Sequence, residues 1–300
     1  MVFRISIALV AALVLLAGLA PGPFNDVVQA ALGEVIRGAG WMYLLVVFMT
    51  LVFLAYLAFG RFANLRIGGE DAEPEFSRAS WLSMLFAAGM GIGLVFWGAA
   101  EPVSHLVKPP EGLTPESMEA ARASMRYAFF HWGLHPWSIY ALIGLSMAWF
   151  QYNRNGRGLI SDMLQPVIGR HHRSWVGHTI NIAAVVATAI GVATTLGFGT
   201  IQIAAGLQRV FGINATVGVQ MTIIAIAFVL YMASTTSGVD RGIKWLSNAN
   251  LILAGVLLVL VLALGPTGFI ADTFTTTLGS YLNQLVTMSL RMSPFSGSTW

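Results

Sequence analysis

The sequence predicts an all-α polytopic membrane protein, and three observations carry that expectation. Of 300 residues, 56% are hydrophobic and only 10% are charged, against about 25% charged in a soluble domain. The charges cluster between long uncharged runs. Seven of those runs come close to the roughly 20 residues a helix needs to cross the hydrocarbon.

The elements follow in order. The first apolar run covers residues 4–20 and ends at Pro21-Gly22-Pro23. Arg4 ahead of it and its Ala-rich end also resemble a cleaved signal peptide, but six more spans follow, which favours a first membrane helix. The second span covers 41–60. A loop over 61–80 mixes Arg61, Arg66 and Arg78 with Glu70, Asp71, Glu73 and Glu75, and reads as solvated. The third span covers 82–100 and ends at Glu101-Pro102. The fourth covers 127–150, with Trp149 near its far end and Tyr152 just beyond. The fifth, 179–205, is rich in Thr and Gly. The sixth covers 216–234, and the seventh, 248–265, is stopped by Gly265-Pro266. Over 272–291, Leu278, Tyr281, Leu282, Leu285 and Met288 recur at helical spacing. That pattern predicts an amphipathic helix lying at the membrane interface. Residues 293–300 read as a loop leading into a further element.

The bilayer is thus the first expected partner, and the net charge of +3 says little about nucleic acid, for which no role is expected. The basic residues are read for topology instead. With a cytoplasmic N-terminus, 10 of the 16 Lys and Arg residues fall inside and 6 outside. The 152–178 loop carries much of the bias. Residues 266–300 would then lie outside. There is no cysteine, which excludes disulfides, thiolate nucleophiles and Cys-ligated metals.

Two stretches stand out chemically. Gly89-Met90-Gly91-Ile92-Gly93 puts three glycines at alternate positions in the middle of the third span. Each is about 1 kcal/mol worse than Ala in a helix. Gly89 and Gly93 share a helix face and suit close helix packing. Gly91 lies opposite, so an unwound segment lining a cavity accounts for all three. The second stretch is Phe130-His131-Trp132-Gly133-Leu134-His135-Pro136-Trp137-Ser138-Ile139-Tyr140. On a continuous helix Trp132 and Tyr140 stand about 80° apart, with Trp137 about 60° further round. The three line one broad face. They suit either an interfacial aromatic belt or a box for a weakly hydrated cation such as a quaternary ammonium. Glu101 reads as a helix-end carboxylate at the interface, with proton carrier as the alternative. His131 and His135 have metal-ligand spacing without an evident third ligand. His171 and His172 read as solvated.

The run from Gly89 through Trp97-Gly98-Ala99-Ala100-Glu101-Pro102-Val103-Ser104-His105 resembles the third-helix signature of the betaine/carnitine/choline transporter family. The His131-Trp132-Gly133-x-His135-x-Trp137-x-x-Tyr140 pattern resembles that family's fourth helix, and Thr194-Thr195-Leu196-Gly197-Phe198-Gly199-Thr200-Ile201-Gln202 its fifth. The resemblance implies twelve membrane helices and a leucine-transporter-type inverted repeat starting at helix 3. The chain would hold helices 1–7: two leading helices and a cytoplasmic loop in 1–80, the first five-helix repeat in 81–265, and an extracellular interfacial helix and loop towards helix 8 in 266–300.

The same resemblance implies site residues. The quaternary ammonium would meet Trp132, Trp137 and Tyr140, half of a box completed from helix 8. The substrate carboxylate would face Gly89, Met90, Gly91 and Gly93, where free N–H groups can donate. A coupling sodium would use the carbonyls of Ala87 and Met90. A second sodium position matches Thr188, but Val192, four residues on, has no side-chain oxygen. Pro136 departs from the small residue expected there and removes a helix N–H.

The function this implies is secondary active, ion-coupled transport of glycine betaine, choline, carnitine or a related zwitterionic osmolyte. No further cofactor, a homotrimer and a plasma-membrane location are expected with it. A membrane osmolyte sensor is the alternative. An intramembrane enzyme is less supported, since there is no His-Glu-x-x-His and no nucleophile paired with a base inside a span.

Overall fold

A computed structural model describes residues 1–89, 92–238 and 242–292. Within them the chain is helical, without strands among the described residues. The helices are α1 Val2–Leu19, α2 Pro21–Phe59, α3 Arg78–Gly89, α4 Ile92–Val107, α5 Met118–Trp132, α6 Leu134–Ala148, α7 Ile160–Met163, α8 Gln165–Ile168, α9 Trp175–Phe211, α10 Val217–Thr236, α11 Lys244–Leu264, α12 Thr267–Asn283 and α13 Leu285–Ser289. Five of these, α1, α2, α9, α10 and α11, are long and apolar enough to cross a membrane as single helices. This is an all-α polytopic membrane protein. The predicted fourth span is divided into α5 and α6, and the described residues of the third fall in α3 and α4.

Two helices outrun their predicted spans. Helix α2 has 39 residues, about 58 Å, nearly twice the ~30 Å hydrocarbon thickness. The expected connection over 21–40 is part of it. Only Ala20, at φ −141 and ψ 62, separates α1 from α2. Pro21 then stands in the first helical turn, where a missing N–H is no loss. Beyond it Gln29, Ala30, Ala31, Leu32 and Glu34 favour helix. Helix α9 likewise has 37 residues, about 55 Å.

Other ends follow local chemistry. Thr216 caps α10 by accepting from the Val219 N–H at 3.4 Å. The Gly265 N–H closes α11 on the Val261 carbonyl, and Pro266 prevents continuation. The third span does not stop at Glu101-Pro102, because α4 runs through Pro102 to Val107. The predicted amphipathic helix over 272–291 is two helices, separated at Gln284. Tyr281 and Met288 from its apolar set are buried, whereas Leu282 is exposed.

The chain divides into two compact units. The first comprises 1–72, 130–192 and 283–300; the second comprises 73–129 and 193–282. Helices α5, α9 and α12 each begin in one unit and end in the other. In the first, α6 packs along α2 and α13 against α2; in the second, α3 packs along α11. The composition of the interior is inverted relative to a soluble protein. Ala120, Ala123, Ala204, Ser6, Ser161 and Ser289 are buried, while Leu253, Leu257, Leu260 and Leu264 form an exposed stripe on α11. Small residues let helix backbones approach, and large apolar ones face lipid.

Within the first unit the connection after α6 is built on charge. A π-helical turn, Trp149–Asn153, ends the span, and Asn153 Oδ1 accepts from the Gly68 N–H at 3.0 Å. The buried Asp162 carboxylate accepts from the Arg157 backbone N–H at 2.9 Å, its Nε at 3.2 Å and its Nη2 at 2.7 Å. Ser161 and Asn181 are doubly bonded, at 3.1 and 2.9 Å, fixing the loop to α9.

The Arg157 hydrogen bonds hold the Asp162 carboxyl below its ordinary value, and the same contact raises Arg157. A depressed carboxylate stabilises the fold above its unfolded value of about 3.9 and loses that contribution as pH falls through the lower folded value. Asp162→Asn should therefore destabilise the protein at pH 7, by about 2 kcal/mol for a charge-assisted bond. The gap between variant and parent in thermal melts should close as pH drops below 4.

Candidate functional site

The aromatic face predicted from the fourth span lies in the first unit. Its helix is broken at Gly133, with φ −91 and ψ −136. The angular estimate for one continuous helix therefore does not apply across Trp132. The break has an identifiable cause. In a continuous helix the residue 136 N–H would bond the Trp132 carbonyl, but Pro136 has no N–H and its ring crowds that carbonyl. With α6 starting at Leu134, Pro136 sits in the first turn, where the missing donor is harmless. The Trp132 carbonyl accepts from the Trp137 indole Nε1–H at 3.1 Å.

That bond draws the aromatic residues together. Trp137 and Tyr140 meet edge-to-face at 5.6 Å. Trp132 and Trp137 are half-buried and Tyr140 is 40% exposed. The structure thus joins all three predicted residues, two through their rings and one through its carbonyl. His135, in the same turn, is buried against the Phe130 ring, 4.3 Å between centroids, and bonds Ser289 on α13 at 2.6 Å. Its ring is thereby engaged in packing within this unit. Ser138 completes the turn by donating to the His135 carbonyl at 2.7 Å.

The glycine stretch lies in the second unit. Ala87 and Gly89 belong to α3 and Gly93 to α4. Met90 and Gly91, predicted for the carboxylate and for sodium, lie outside the described residues. Thr188, predicted for the second sodium position, lies in the first unit on an exposed face of α9 and donates to the Ala184 carbonyl at 2.8 Å. Val192, one turn on, supplies no side-chain oxygen, so Thr188 contributes the one hydroxyl of this pair.

Two features of the second unit were not anticipated. Phe96, Trp97 and Phe198 form a trio, with centroids 5.0, 5.6 and 5.9 Å apart. The Phe96 and Phe198 rings stack on each other, so these faces tie α4 to α9. The second feature is polar. Glu101 is not at a helix end: it is 8% exposed within α4 and 3.2 Å from His105 Nε2, one turn away. The His105 ring lies 6.1 Å from that of Tyr127. Tyr127 Oη donates to Glu111 at 3.0 Å, and Arg126 Nη2 reaches the same oxygen at 3.4 Å. Glu111 has φ +68, a strained conformation that its two α5 partners offset. The i, i+4 spacing of Glu101 and His105 was the available signal, overridden by reading Pro102 as a helix stop.

Comparison with known proteins bears on the whole chain. The model of the family described as BCCT, betaine/carnitine/choline family transporter, matches residues 1–300. The ectoine/hydroxyectoine transporter of Virgibacillus pantothenticus is 43% identical over 300 residues, covering 100% of this chain and 60% of the relative. The glycine betaine transporter OpuD of Bacillus subtilis is 45% identical, covering 98% and 57%. The high-affinity choline transport protein of Escherichia coli K12 is 39% identical, covering 95% and 42%. The chain thus spans roughly half the length of these relatives.

The break at Gly133 makes a stability prediction. Trp137→Phe removes the indole donor from the Trp132 carbonyl and should lower stability by about 1 kcal/mol. Pro136→Ala restores a donor for that carbonyl and should recover much of the loss in the double variant. Thermal unfolding in detergent of the parent, the single variants and the double variant checks this.

Proposed function

The chain belongs to the betaine/carnitine/choline transporter family, and from that premise we propose that it carries the aromatic half of the binding site of a secondary active transporter. The substrate class is a quaternary ammonium compound or related zwitterionic osmolyte: glycine betaine, choline, carnitine or a cyclic analogue such as ectoine. The observation that carries the reading is the junction of Trp132, Trp137 and Tyr140 at a helix break. Aromatic faces attract a poorly hydrated cation, by up to about 2 kcal/mol each when desolvated. A broken membrane helix is tolerated where it lines a cavity.

In this reading the glycines of 89–93 form an unwound join whose free N–H groups receive the substrate carboxylate. Ala87 and Met90 offer carbonyls to a coupling sodium. Thr188 alone is a thin donor set for a second ion, and one coupling ion is the simpler proposal. The two leading helices, the five-helix repeat over 81–265 and the interfacial segment over 266–300 form the first part of an alternating-access fold. The excess of Lys and Arg in alternate loops supports a cytoplasmic N-terminus in the plasma membrane. A homotrimer is proposed from the family alone.

Uptake of radiolabelled glycine betaine, choline and ectoine into proteoliposomes holding the full-length protein, with both halves of the proposed site, tests the proposal with and without a sodium gradient. We expect sodium-stimulated uptake of at least one of them. Trp132→Ala and Tyr140→Ala should each raise KM about tenfold or more. Absence of uptake of every onium compound, or aromatic variants that transport like the parent, would overturn it.

A further inference from the structure

We propose that His135 and Ser289 form a tether through which the short helix α13 positions the aromatic face of α6. The inference rests on the binding-site reading above, and it assigns a role to two residues outside the aromatic set. Residues 135 and 289 are 154 positions apart in sequence, yet their side chains meet at 2.6 Å. Both are interior, His135 at 5% and Ser289 at 1% exposure.

The direction of the bond follows from proton supply. A serine hydroxyl has one proton, and that of Ser289 points to the Leu285 carbonyl, 2.5 Å away. His135 Nε2–H is therefore the donor to Ser289 Oγ. The Ser289 hydroxyl is thus used on both sides, which fixes its rotamer and the imidazole plane together.

What the tether holds is the first turn of α6. His135 immediately precedes Pro136, which forces the break, and lies two residues before Trp137, whose indole closes it. The His135 carbonyl also receives the Ser138 hydroxyl. The Phe130 ring covers the imidazole from the other side of the break. Pro136 donates no backbone hydrogen bond, and side-chain bonds take part in orienting the turn. That of His135 to Ser289 leaves the turn for another part of the fold. Displacing it turns Trp137, and with it the edge-to-face contact to Tyr140. These are positioning residues, since neither belongs to the aromatic set that would touch the substrate.

The test labels the full-length protein with 5-fluorotryptophan, assigns the Trp132 and Trp137 fluorine resonances by single Trp→Phe replacement, and measures glycine betaine and choline affinity in parallel. Ser289→Ala should move or broaden the Trp137 resonance without ligand and weaken affinity about tenfold. Ser289→Thr keeps the hydroxyl and should hold both near the parent. The His135→Ala, Ser289→Ala double variant should be no worse than His135→Ala alone, since coupled residues are not additive. If the His135 variants do not fold, the Ser289 pair decides. An unmoved Trp137 resonance in Ser289→Ala overturns the tether, as do additive losses or a moved resonance with parental affinity. If the parent binds no onium compound, the binding-site reading fails, and the resonances still decide the tether.

Discussion

Hydrocarbon offers no hydrogen bonds, so each backbone group of a spanning segment must find its partner inside the protein, and several kcal/mol ride on each one that does not. The architecture follows from that constraint. The long spans are helices because a helix pairs its own backbone. The hydroxyls they carry are turned back onto that backbone: Thr188 to Ala184, Thr200 to Leu196, Thr222 to Gly218 and Thr236 to Met232. Where the ladder fails, at Pro136, a side chain takes over. The Trp137 indole fills the place of the missing N–H, and in doing so brings an aromatic ring to the break. One covalent feature, a proline without a donor, thus explains the bend, the unusual Gly133 dihedrals and the placement of Trp137.

The second consequence concerns what is inside. Lipid is as apolar as leucine, so burying leucine gains little in a bilayer. Close approach and polar contacts hold helices together instead. Alanines 120, 123 and 204 and serines 161 and 289 are buried accordingly, and bulky side chains of α11 face outward. The ties with chemical direction are polar: Asp162 on Arg157, Ser161 on Asn181, Glu111 on Tyr127 and Arg126, and His135 on Ser289. Several join segments far apart in sequence, as expected where polar bonds stand in for a hydrophobic core.

Much of this was legible in the residues. The α10 and α11 boundaries fall within a few positions of expectation because Thr216 and Gly265-Pro266 are strong local signals. The aromatic set could be named because its members lie within nine residues of one another. Prolines show how far a local signal reaches. Pro21 marks the end of the first span as expected but also opens α2, and Pro102 lies inside α4 rather than ending it. The effect of a proline depends on whether its position is a first turn and on whether neighbouring helices compensate, and neither is written at the proline itself. Pro136 signals a kink, but the break forms three residues earlier, at the glycine that bends most cheaply.

By itself the sequence determined the class of the protein, the identity of its spans and the residue types able to meet a cation, because hydropathy, helix ends and aromatic content are local properties. It did not determine which polar groups pair. His135 with Ser289, Tyr127 with Glu111 and Asn153 with Gly68 became partners only through packing. A hydrogen bond needs two groups within about 3 Å, and the chain order of residues 135 and 289 says nothing about that distance. The tertiary structure decided it by laying α13 beside the broken turn of α6.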